Sequence, residues 1–256
     1  MGMNGTSLDS IRAKVHAGKR LSQKDGIYLL REAPLLDLGQ IAMEVRQRRH
    51  PDGFVTFVVD SNPNYTNVCN IDCTFCAFYR PPEHDQSYTH SIETMLETID
   101  KSVDKGATTI LMQGGVNPEL PFEYYLDMVR AFRKRYTDVT PHFWSAVEIE
   151  GMATVSGLSL REVLTQLKAA GQTTIPGGGA EILADRVRRK ISHKKGVAHS
   201  WIDVHREAHV LGFRSTATMM YGHVEDEEDI VEHLDVIRKL QDKHHGFTAF
   251  VPWSFK

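Results

Sequence analysis

Three cysteines, Cys69, Cys73 and Cys76, are all the cysteines of this 256-residue chain, and they fall within eight residues of one another with C-x3-C-x2-C spacing. An odd, clustered set makes a poor disulfide framework, and in a reducing cytosol such thiols stay free for metal or redox chemistry. A structural zinc site wants four ligands, commonly two C-x2-C pairs; His84 or His90 could supply the fourth here, but no second pair exists. A dithiol pair at Cys73 and Cys76 would leave Cys69 unexplained. Three thiolates on one compact loop can instead hold three irons of a cubane iron–sulfur cluster. The fourth iron then has no protein thiolate and is open to a small molecule. That reading accounts for all three residues.

Other candidates lie where short apolar runs end. Gln113-Gly114-Gly115 follows the run Thr108–Met112, and its glycines let backbone approach a ligand; an ordinary tight turn is the plainer alternative. Gly177-Gly178-Gly179-Ala180-Glu181 follows Thr173–Ile175, with Pro176 stiffening the entry and backbone N–H groups free to face a ligand at what reads as a helix start. In the run His142–Ile149, strand alternation sets Ser145 and Val147 on one face, and Trp144, Ala146 and Glu148 on the other. Glu148 and Glu150 near its end could bind hydroxyl groups or remain solvated. His223, in Tyr221-Gly222-His223, could exchange a proton or be a satisfied structural histidine. Glu148, Glu181 and His223 are the candidate proton acceptors. The basic run Arg186–Lys195 reads as a solvated helix face, with a phosphate or carboxylate contact as its alternative.

These residues need a scaffold that brings run ends together. Six β-rich runs are visible: Phe54–Asp60, Thr108–Met112, His142–Ile149, Thr173–Ile175, Ser215–Tyr221 and Phe247–Trp253. Helical stripes lie between them. One carries Ile92, Met95, Leu96, Ile99 and Val103, and a second Phe122, Tyr125, Leu126, Val129 and Phe132. A third carries Val163, Leu164 and Leu167 behind a Ser159/Glu162 capping box, with Gly171 after it. The last two carry Trp201, Val204, Ala208 and Leu211, then Ile230, Leu234 and Ile237. Strands alternating with helices about every 35 residues imply βαβ units and a parallel sheet. No G-x-G-x-x-G follows the first strand, so the spacing predicts a six-strand barrel rather than a dinucleotide fold. Active sites of such barrels gather at the strand C-termini. Residues 1–50 read as a helical segment packing on a barrel core of residues 51–256. Ser22 opens one helix there, and Pro34 opens another with Leu36, Leu38, Ile41, Ala42 and Val45 on one face. The chain stops three residues past Trp253 with no closing helix, so a truncated C-terminus is expected.

Composition narrows the partners. At 25% charged residues and a net charge of −3, a nucleic-acid-binding surface is not expected. No stretch approaches the ~20 apolar residues of a membrane span, and Met1–Leu21 lacks a signal peptide's apolar core. A cytoplasmic protein acting on a small molecule is expected.

The cysteine spacing, with aromatic Phe75 before the last cysteine and a first strand before the loop, resembles the radical S-adenosylmethionine superfamily. The resemblance implies a partial TIM-type α/β barrel and a [4Fe–4S] cluster on Cys69, Cys73 and Cys76. It also implies S-adenosyl-L-methionine bound through its amino and carboxylate groups to the open iron and cleaved to a 5′-deoxyadenosyl radical. It places Phe75, Gln113, Gly114, Gly115, Ser145, Glu148 and Gly178 around that cofactor, although Gln113 stands where the family often has glycine. The strings NYTNVCNIDCTFCAFYR, QGGVNPELP, PGGGAEIL, ATMMYGHVE and FTAFVPWSF are most similar to the dehypoxanthine futalosine cyclase family of menaquinone biosynthesis. Aminofutalosine synthases and deazaflavin synthases share part of the pattern. The resemblance implies hydrogen abstraction from the substrate ribose, ring closure onto its benzoate, and reduced flavodoxin or ferredoxin as electron donor. An iron–sulfur electron carrier or redox sensor is the non-enzymatic alternative.

Overall fold

Strand order equals chain order throughout the sheet. The protein, described over residues 6–256 in a computed structural model, has six parallel strands in the order β1 to β6: β1 (Asp60–Ser61), β2 (Thr109–Met112), β3 (Thr140–Phe143), β4 (Thr174–Ile175), β5 (Arg214–Tyr221) and β6 (Phe247–Ser254). Right-handed crossovers in one direction put every helix on the same face. The sheet therefore curls into a half-barrel with the helices outside. Those helices are α4 (Ile92–Val103), α5 (Phe122–Arg135), α6 (Ala146–Ser156), α7 (Leu160–Ala170), α8 (Asp185–Ile191), α9 (Ala198–Val210) and α10 (Glu227–His244). Apart from α8, whose Val187 and Ile191 pack in a separate cluster with Met219 and Met220, their apolar faces join one core that includes Ile99, Phe132, Leu164, Trp201 and Phe143, all essentially inaccessible. Each such side chain contributes about 1.5–3 kcal/mol.

Before the sheet come α1 (Leu8–His16), α2 (Gln23–Arg31) and α3 (Leu35–Arg49). Ser22 caps α2 and Pro34 precedes α3, as the sequence predicts. Charged contacts join this region to α10: Arg20 pairs with Asp242, Arg31 with Glu227 and Glu228, and Gln23 with Asp235. Leu36 and Leu234, expected on buried faces, are 82% and 40% exposed, because no described element covers those positions.

Three expectations need correction. The first strand is not Phe54–Asp60: only Asp60 and Ser61 pair with β2, and Phe54, Val55 and Phe57 are exposed. Strand preference is a fit to a half-buried pleat, and this run has no neighbour on its outer side. The third strand ends at Phe143, not Ile149. Trp144 takes a positive φ of 59°, Ser145 becomes an N-cap, and Ala146 begins α6. The S-x-x-E spacing of Ser145 and Glu148 is a capping box, and it outweighs the strand preference of the neighbouring Val147 and Ile149. The glycine turn after β4 does not open a helix either, since α8 begins only at Asp185.

Candidate active site

The loop after β1 carries the cysteines, and the ends of β2, β3 and β4 wall it. Cys69, Cys73 and Cys76 line one cleft of about 170 Å³ together with Gln113, Gly114, Gly115, Ser145, Glu148, Gly179 and Lys195, among others. Gly178 lies directly against the Gln113 amide, where a Cβ would overlap it. Phe75 packs beside Ile182, Met219 and their neighbours behind the cleft.

Close approach of two backbones builds this cleft. Gly115 donates its N–H to Thr66 O at 2.9 Å, and a Cβ on it would overlap the carbonyl of Val68. The glycine is thus required by the cysteine loop lying on it, whatever ligand the loop receives. Cys69 Sγ accepts from the N–H groups of Ile71 and Val116, both at 3.3 Å. Burial pushes the Cys69 thiol up while those two donors oppose it. Burial also pushes Cys73 up to about 11, opposed by the Lys195 charge. In the absence of metal these thiols keep their protons near neutrality, and iron binding would release them.

The donor set suits a cluster better than a single ion. Among the described residues no three His, Cys, Asp or Glu side chains converge as ligands of one metal ion would. A cubane cluster needs no such convergence, because each thiolate takes a different iron. The two N–H groups directed at Cys69 Sγ are of the kind that tune cluster thiolates.

Glu148 is buried and fully engaged. Its Oε1 accepts from the Tyr65 hydroxyl at 2.9 Å and from Gly114 N–H at 3.0 Å. Its Oε2 accepts from Ser145 N–H at 2.7 Å and from the Ser145 hydroxyl at 2.6 Å. Burial raises its pKa to about 7, with the hydrogen bonds from Ser145, Tyr65 and Gly114 pulling the other way. One carboxylate thus ties the start of the cysteine loop, the end of β2 and the cap of α6 together. It lines the cleft without a free acceptor position.

Of the other acceptor candidates, Glu181 is paired with Lys195 Nζ at 2.7 Å, and its second oxygen is buried without a partner. His223 is not brought to the cleft. Its Nε2 meets Met220 O at 2.9 Å, and its Nδ1 accepts from Val224 N–H at 2.8 Å. Both ring nitrogens serve their own turn. The basic run is also only partly a solvated face. Arg186 pairs with Asp226 and Asp229, and Arg188 is buried with its guanidinium on the carbonyls of Gly179, Ala180, Lys195 and Gly196. Lys194 pairs with Asp72 of the cysteine loop at 2.8 Å. Lys195, which reaches the thiols, has no local motif to mark it.

Comparison with known proteins gives a consistent picture. The family model described as "Radical SAM superfamily" matches residues 63–237. An aminodeoxyfutalosine synthase of Thermus thermophilus is 41% identical over 256 residues, covering 100% of this chain and 68% of its own. A cyclic dehypoxanthine futalosine synthase of Halalkalibacterium halodurans is 39% identical over 250 residues, covering 98% and 68%. The FeFe-hydrogenase maturase HydG from Carboxydothermus hydrogenoformans superposes with a TM-score of 0.73 at 17% identity, over 97% of this chain and 56% of the maturase. The chain thus spans about two thirds of the length of the two relatives and just over half of the maturase. Among the described residues, no helix is long and apolar enough to cross a membrane.

Proposed function

The chain belongs to the radical SAM superfamily, and from that premise we propose that it cyclises dehypoxanthine futalosine to cyclic dehypoxanthine futalosine in menaquinone biosynthesis. The observation that carries the substrate is the relationship to the cyclic dehypoxanthine futalosine synthase over nearly the whole chain. The family uses a [4Fe–4S] cluster and S-adenosyl-L-methionine, which together supply a 5′-deoxyadenosyl radical when bound.

On this reading Cys69, Cys73 and Cys76 hold the cluster. Gln113, Gly114, Gly115 and Ser145 line the wall that would hold the cofactor, with Phe75 and Gly178 backing it. Glu148 fixes that wall rather than taking a proton, since all its acceptor positions are used. Glu181, with one buried oxygen unpartnered, is the better-placed acceptor. Residues 6–50, the described part of the 1–50 segment, act as a helical segment packed on the barrel core of residues 51–256. The substrate is a small molecule, reduced flavodoxin or ferredoxin delivers the electron, and the reducing cytoplasm keeps the thiols available for iron. Nucleic acid and membrane have no part in this reading.

The test is anaerobic incubation of the reconstituted protein with S-adenosylmethionine, a reductant and dehypoxanthine futalosine, followed by mass spectrometry. Conversion to the cyclised product is expected. A second reading, aminodeoxyfutalosine synthesis, is supported by the 41% identity to the Thermus enzyme. Formation of 5′-deoxyadenosine with dehypoxanthine futalosine left unconverted would favour it.

A further inference from the structure

One ammonium group on the wall of the thiol cleft is buried. Lys195 ends the short helical turn His193–Lys195 that follows α8, and its side chain is 11% exposed. It shares the cleft wall with all three cysteines. Its Nζ donates to Glu181 Oε1 at 2.7 Å and stands 5.3 Å from the ring centroid of Phe75, the residue before Cys76. Glu181 is held rigidly. Its backbone takes a φ of 41°, uncommon outside glycine, and its carbonyl accepts from Met220 N–H at 3.0 Å. The same stretch of chain grips the cysteine loop. Thr74 donates its N–H and its hydroxyl to Ile191 O at 2.9 and 3.2 Å, and Lys194 pairs with Asp72.

A buried ion pair stabilises a fold weakly, because desolvation offsets most of the attraction and apolar replacements do as well or better. Fold stability therefore does not explain why this pair stands beside three thiols. Its asymmetry supplies another explanation. Lys195 lines the cleft together with all three cysteines, and Glu181 does not. The positive member of the pair is thus the one on the thiol side. Glu181 keeps the ammonium charged and in place, and Phe75 adds a cation–π contact.

We propose that Lys195, oriented by Glu181, is a positioning residue that holds a fixed positive charge against the thiolate side of the cluster and raises the cluster's reduction potential. In the step concerned, a low-potential one-electron donor loses one electron and the cluster gains it, with no proton transferred and no bond made or broken. Added negative charge on the cluster is stabilised by a nearby cation, and burial keeps that interaction from being screened. The inference rests on the three-thiol cluster assignment but not on the substrate.

The experiment is a potentiometric titration of the anaerobically reconstituted chain, followed by the electron paramagnetic resonance signal of the reduced cluster, alongside iron content. Wild type, K195R, K195Q and the double variant K195Q/E181Q are compared. K195R should keep the wild-type potential. K195Q should load iron and shift to a more negative potential. The double variant should shift less, because a buried negative charge leaves with the positive one. A K195Q potential equal to wild type overturns the proposal. So does loss of iron from both glutamine variants with K195R still loaded, because the cation would then be a requirement for assembly rather than a tuner. Failure of the wild-type chain to load iron would instead bring down the cluster reading, and this inference with it.

Discussion

Two of the buried polar clusters in the molecule do opposite work. At the C-terminal ends of β2 and β3, Glu148 accepts four hydrogen bonds from Tyr65, Gly114 and Ser145, the last two of which line the cysteine cleft. Near the N-terminal end of β5, Ser215 Oγ meets His205 Nδ1 at 3.1 Å and His209 Nε2 at 2.7 Å. The remaining nitrogens, His205 Nε2 and His209 Nδ1, are buried without partners. Burial lowers His209 to about 4 and sends His205 well below its ordinary value. Perturbed titration therefore occurs at both ends of the strands. Only the cluster at the C-terminal ends adjoins a cleft with reactive thiols, so shifted pKa values alone do not mark a site.

The largest separation between the two regions should come from the cysteines. Replacing Cys69, Cys73 or Cys76 with Ala should reduce iron content and abolish S-adenosylmethionine cleavage to background. Circular dichroism should stay near wild type, since none of the three is fully buried. Retained cleavage in any of these variants would remove the distinction between the regions.

Gly115→Ala is the next strongest perturbation. The added Cβ overlaps the Val68 carbonyl, so the cysteine loop must shift at a cost of about 1–3 kcal/mol. Iron loading should fall more than thermal stability does; an unaffected iron content would mean that the loop's seat on Gly115 is unimportant.

Glu148→Gln separates positioning from proton transfer. An amide cannot accept all four hydrogen bonds, and leaving buried donors unmet costs roughly 1–3 kcal/mol. The variant should melt at lower temperature and load iron less well. Once loaded, it should retain 5′-deoxyadenosine formation. Normal stability with abolished turnover would make Glu148 a catalytic acceptor after all.

The smallest effect belongs to the histidine region and appears only in acid. His142, His209 and His233 sit near 4 in the fold against 6.5 when unfolded. Between these values the unfolded chain binds more protons, so stability rises with pH through the window from 4 to 6.5 and is fully kept above it. Each histidine adds a slope of about 1.4 kcal/mol per pH unit there. Removing the imidazole at His209 by His209→Gln should flatten the stability profile by one proton's slope without changing iron content at neutral pH.

The sequence made the cysteine loop and the succession of strands and helices plain, because both rest on short-range spacing. Ser145 and Glu148 were legible as site residues but were read as part of a strand. The capping-box spacing was present, and the β-branched and aromatic content of the run obscured it. His223 was read either as a proton carrier or as a satisfied structural histidine, and its ring nitrogens engage Met220 O and Val224 N–H. Lys195 was hidden in a basic run. Its burial depends on Glu181 fourteen residues earlier and on a cysteine loop more than a hundred residues away, and no local pattern encodes contacts at that separation.

The most direct test of the central claim, that three thiols in this cleft hold a cluster that cleaves S-adenosylmethionine, is one anaerobic assay. Iron and sulfide are measured on the reconstituted chain, which is then mixed with S-adenosylmethionine and dithionite and analysed for 5′-deoxyadenosine. About four irons per chain with matching sulfide, and 5′-deoxyadenosine that disappears in the cysteine variants, is the predicted result. A single tightly bound zinc without sulfide, and no 5′-deoxyadenosine, would contradict it.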